Sequence, residues 1–126
     1  MIYIFKYIEK TRKLIQSKKV LSFVIIFEIG FFRFLISFFS LRILGFCGIT
    51  LYPYIIIKAE CYNKEILQHE FVHIKQQKNS LFKFLIRYIL EFFKNFCKYF
   101  SFSKAYREIG FEKEAEEKKH QFKFII

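Results

Sequence analysis

The sequence predicts a mainly α-helical chain with a small β element, and three observations carry that expectation. Residues 64–79 and 81–100 place apolar groups at helical spacing. Residues 49–57, ITLYPYIII, are rich in β-branched and aromatic groups and read as a strand. Gly45 and Gly48 separate that strand from the apolar stretch before it. At 126 residues the chain has the length of one folding unit and can bury a core without disulfides.

Residues 1–19, MIYIFKYIEKTRKLIQSKK, mix apolar groups with lysines and an arginine, and the spacing predicts an amphipathic helix with a basic face. The following stretch is very apolar but carries Glu28, Arg33 and Arg42, so its uncharged runs are short for a clean membrane span. A buried or half-inserted helix is expected there, with the charges needing protein partners or an interface. Residues 1–47 are thus expected to form a basic amphipathic and hydrophobic helical region with membrane association. Residues 48–126 are expected to form the functional domain.

Pro53 cannot donate a ladder hydrogen bond, which makes 49–57 an edge strand or a strand with a break. Asn63 suits a helix cap before KEILQHEFVHIKQQKN, and Asn79 with Ser80 ends that helix. In the helix over 81–100, the polar residues Lys83, Arg87, Glu91, Lys94 or Asn95, and Lys98 recur every three or four positions and form one narrow stripe. The rest of its circumference is apolar, as in a helix that is buried or faces lipid. SFSKAYREIG connects to a last, highly charged helix, FEKEAEEKKHQFK.

Lys and Arg number 22 against 11 acidic residues, all of them Glu, for a net charge of +11. Such a charge attracts anionic lipid or nucleic acid, but no nucleic-acid-binding motif accompanies it, and nucleic acid is not an expected partner. Cys47, Cys61 and Cys97 are odd in number and widely spaced, without a C-x-x-C pair, and read as reduced core residues.

His69, Glu70 and His73 spell HEFVH, an H-E-x-x-H motif. Histidines four apart on a helix point to one side and can share a zinc ion. Zinc acidifies a water, and Glu70 is placed to take its proton. A catalytic zinc site normally has three protein ligands. A metzincin-type third histidine is excluded, because position 79 is Asn79. His120 is one candidate, and a downstream glutamate is the better one. Among Glu108, Glu112, Glu114, Glu116 and Glu117, the pair Glu112 and Glu116 shares a helix face. One of that pair can bind metal while the other receives a hydrogen bond from a ligand imidazole.

HEFVHIKQQ followed by AYREIGFEKEAEE resembles the small gluzincin-type zinc metallopeptidases, in particular compact, largely uncharacterised bacterial proteins. Their pattern is H-E-x-x-H-x-x-Q-Q, a hydrophobic helix and a segment like A-Y-R-x-x-x-F-E-x-E-A. The resemblance spans roughly residues 48–120. It implies a gluzincin-like zinc-helix core with an edge strand before the H-E-x-x-H helix. It implies His69, His73 and Glu112 as metal ligands, Glu70 as general base, and Glu116 at the position that orients a histidine. Glu116 replaces the Asp usual there, so its longer arm shifts that hydrogen bond. Gln76 and Gln77 match the helix extension. Tyr106 is the preferred donor to the oxyanion, with His120 the other option.

The expected function is therefore zinc-dependent hydrolysis of peptide bonds, with a peptide or protein substrate and a membrane surface or membrane protein as partners. The competing expectation is a non-catalytic, zinc-stabilised, membrane-associated interaction protein. Either is expected in the cytoplasm or on the cytoplasmic membrane.

Overall fold

The computed structural model describes residues 2–9, 11, 13–20, 33, 35, 36, 40, 41 and 44–121. They are mainly helical, with a small antiparallel sheet. Strands β1 (Ile2–Ile8), β2 (Lys13–Val20), β3 (Gly48–Leu51) and β4 (Tyr54–Lys58) make that sheet in the order β2-β1-β4-β3. Four helices follow: α1 (Lys64–Gln77), α2 (Leu81–Tyr99), α3 (Phe102–Arg107) and α4 (Gly110–Lys118).

The helix expected over 1–19 is instead β1 and β2, paired antiparallel from Ile2↔Val20 to Ile8↔Lys13. IYIFKYI satisfies both a helical and an alternating period. Its β-branched and aromatic groups favour a pleated surface, and β4 supplies a partner along Ile2–Lys6. Tyr3, Phe5 and Tyr7 face one side, while Ile2 and Ile4 face the other. Because β1 lies between β2 and β4, the N-terminal strands belong to the sheet that supports α1. The apolar helical segment expected over 20–47 falls largely outside the described residues. Arg33 within it donates from Nε and Nη2 to the Tyr52 carbonyl at 3.1 and 2.9 Å. Among the described residues, no helix is long and apolar enough to cross a membrane.

The strand expected over 49–57 breaks at Tyr52-Pro53 into the hairpin β3–β4, where proline's missing N–H costs no ladder bond. β3 is one edge of the sheet, β2 is the other, and β4 is central. Both faces of β4 are covered, which explains its unbroken Ile55-Ile56-Ile57 run. Ile55 and Ile57 pack with Phe5, Leu14, Leu67, Phe71 and Ile74, and Ile56 packs with Ile2, Ile4 and Leu41.

Cys47 and Cys61, expected reduced, form a disulfide with Cα atoms 5.6 Å apart. They flank the hairpin, and Lys58 N donates to Cys47 O at 2.9 Å, so strand pairing itself brings the two ends together. Cys97, expected in the core, is exposed.

Candidate metal centre

Asn63 caps α1 as its sequence suggests, accepting from Ile66 N at 2.8 Å. His69, Glu70 and His73 lie in the middle of this helix, and the two imidazole centroids are 5.1 Å apart. α4 lies across α1 and brings Glu112 to them. Ile109, which precedes α4, has no side chain able to cap it. Glu91 of α2 does so instead, accepting from Gly110 N at 2.8 Å. A Cβ at Gly110 would sit 3.3 Å from Glu91 Oε1, so glycine permits that approach. The first turn of α4, which carries Glu112, is thereby fixed against α2.

Glu112 Oε2 lies 2.9 Å from His69 Nε2, and Glu112 Oε1 lies 3.2 Å from His73 Nε2. One donor atom from each of the three residues falls within 4.8 Å of the others. Tetrahedral zinc with bonds of about 2.0–2.2 Å needs donors about 3.4 Å apart. The cluster therefore needs only small side-chain shifts to hold a metal, and two imidazoles with one carboxylate are a donor set suited to zinc.

The neighbours of the cluster orient it. Gln76 Oε1 accepts from His73 Nδ1 at 2.7 Å, while Gln76 Nε2 donates to Phe111 O at 3.1 Å. His73 Nε2 is thus turned toward Glu112, and the amide ties the ring to the start of α4. Gln77, 1% exposed, accepts from Tyr52 N and donates to Thr50 O, both at 2.7 Å, which clasps β3 to α1. Tyr88 donates to Glu112 Oε1 at 2.7 Å. Glu116 Oε1 stands 3.8 Å from His69 Nδ1, beyond hydrogen-bond reach, and its other oxygen pairs with Lys119 at 2.8 Å.

Burial works against the charge of Glu112, but hydrogen bonds from both histidines and from Tyr88 hold its pKa well below the usual carboxylate range. Burial likewise disfavours a charged His73. The hydrogen bond and charge of Glu112, the charge of Glu70 and the contact with Gln76 nevertheless raise its pKa to about 9. For the Tyr88 and Tyr106 phenols, burial first and the Glu112 charge second push the pKa up, so both are proton donors at neutral pH.

Glu70 is buried, and its Oε2 accepts from Thr50 Oγ1 at 2.7 Å. Gly48 leaves room beside it: a Cβ there would lie 3.4 Å from Glu70 Oε1. Glu70, His73, Glu112 and Tyr106 share a cavity of about 480 Å³ whose remaining wall is largely apolar, including Phe46, Ile49 and Phe92.

No family model, curated protein or solved structure matches this chain. The site rests on its own geometry. That geometry brings together His69, His73, Glu112, Glu70 and Tyr106 and leaves Glu116 at its margin. His120 lies exposed in a 3-10 turn, Lys119–Gln121, outside the cluster. Sequence reasoning missed Tyr88 and Thr50. Tyr88 carried a signal, since a tyrosine on the inward face of a Phe/Ile/Leu helix needs a partner for its hydroxyl. Thr50 carried none beyond lying on the edge strand.

Proposed function

We propose that this protein is a zinc-dependent peptidase with a gluzincin-like core, hydrolysing peptide bonds with Glu70 as general base. The observation that carries this reading is the convergence of His69, His73 and Glu112 from two helices, with Glu70 lining one cavity beside His73 and Glu112. Zinc held by the three would supply Lewis acidity and an acidified water. Glu70, held by Thr50, accepts the proton of the attacking water and passes it to the leaving amine. Tyr106 donates from its neutral phenol toward the oxygen that gains charge in the transition state. Glu112 stays anionic, and Gln76 keeps His73 in the tautomer that presents Nε2. The apolar cavity beside Glu70 accepts a large apolar side chain of the substrate.

Glu70→Gln tests this reading. The variant should keep zinc and lose at least about a hundredfold in turnover of a mixed peptide library. Turnover equal to wild type would reject Glu70 as the base. A wild type that holds zinc tightly but cleaves nothing would favour a zinc-stabilised interaction protein.

A further inference from the structure

Helix α2 is banded around its circumference. Phe84 is buried and Tyr88, Phe92 and Tyr99 are half-buried, forming the face that packs on the domain. The next arc carries Phe82, Ile86, Ile89, Leu90, Phe93 and Phe96, all exposed; Phe82 reaches 67% and Leu90 64%. Beyond it lie Lys83, Arg87, Lys94 and Lys98, also exposed. Lys83, Lys94 and Lys98 form no salt bridge among the described residues. An exposed apolar arc bordered by cations is the pattern of a helix lying in a lipid interface.

A second observation concerns Phe100. It ends α2 with φ 52, a left-handed conformation that favours glycine, and the residue is 82% exposed. Neither backbone preference nor packing explains a phenylalanine there. A membrane contact explains both the ring and its exposure.

We propose that α2 docks this protein in the plane of an anionic lipid surface. Phe82, Ile86, Leu90 and Phe100 enter the acyl boundary, and Lys83, Lys94 and Lys98 meet the headgroup phosphates. The net charge of +11 favours an anionic surface and opposes a second copy of the chain as the occupant. Ile89, Phe93 and Phe102 belong to the exposed surface and also line the cavity beside Glu70, so the cavity opens toward the lipid. An apolar segment at the membrane surface would then reach the site directly. This corollary rests on the peptidase reading, whereas docking does not.

The test is co-sedimentation of the full chain with vesicles of phosphatidylcholine alone or mixed with phosphatidylglycerol. Wild type should bind the mixed vesicles and bind the uncharged ones far less. Lys83→Gln and Lys94→Gln should each weaken binding about fivefold. Phe100→Gly should weaken it about tenfold while leaving the unfolding midpoint unchanged or raised. The combined Phe82→Ser, Ile86→Ser and Leu90→Ser variant should lose binding with its circular dichroism unchanged. The proposal is overturned if wild type ignores anionic vesicles, if it binds uncharged ones equally, or if Phe100→Gly and the triple variant bind like wild type. It is also overturned if sedimentation velocity finds a dimer that the triple variant dissolves while neither form binds vesicles. Zinc content and peptide turnover in solution are read separately, so their failure with vesicle binding intact rejects the peptidase reading and leaves docking standing.

Discussion

Thr50 Oγ1 lies 2.7 Å from Glu70 Oε2, so strand β3 holds the carboxylate that lies between the two histidines of α1. Thr50→Val keeps the side-chain shape and removes that donor. Turnover should fall about tenfold or more, with zinc stoichiometry unchanged, because the base loses its orientation and not the ligands. Steady-state kinetics beside metal analysis checks this. A parallel loss of zinc would instead assign Thr50 to the stability of the cluster.

Gln76 ties His73 to the start of α4 through two hydrogen bonds. Gln76→Leu should weaken zinc binding about 10- to 100-fold, the usual cost of removing a partner of a ligating histidine. Competition with a chelating dye reads that affinity.

Metal binding should also depend on pH. His73 in the metal-free protein has its pKa raised to about 9, so at neutral pH zinc must displace its proton. Apparent affinity should rise by up to about tenfold per pH unit between 7 and 9 and level off above that. Calorimetry in buffers of different ionisation enthalpy should register about one proton released at pH 7. Stability of the metal-free protein carries the matching signs. The contribution of a raised His73 is fully present below about 6.5 and is lost as pH rises through about 9. The contribution of a lowered Glu112 is present above its ordinary 4.5 and is lost as pH falls.

The Cys47–Cys61 disulfide closes a segment of sequence separation 14 around the β3–β4 hairpin. Replacing both cysteines with serine should cost about 3 kcal/mol in chemical denaturation, from loop-closure entropy restored to the unfolded chain. An unchanged midpoint would mean that the hairpin holds itself closed.

Legibility in the sequence followed the range of each interaction. His69, Glu70 and His73 were readable because their relation is one helical turn, and Asn63 because capping is local. Glu112 is 43 residues from His69; residue types narrowed the choice to Glu112 and Glu116, and the family resemblance selected between them. The 2.9 Å contact with His69 Nε2 is consistent with that choice. Tyr88 and Thr50 act through contacts between elements that no local period encodes. β1 and β2 were misread for a related reason: IYIFKYI fits two periods, and the deciding partner, β4, lies some fifty residues on. The cysteine pair was hidden by the hairpin that joins it.

His69, His73 and Glu112 are proposed to hold one zinc ion together. Elemental analysis of the purified full chain after dialysis, beside Glu112→Ala and the double variant His69→Ala, His73→Ala, decides this. About one zinc per chain is expected in wild type, weakened retention in Glu112→Ala and none in the double variant. Wild type that retains no zinc, or a double variant that retains as much as wild type, would rule out this ligand set.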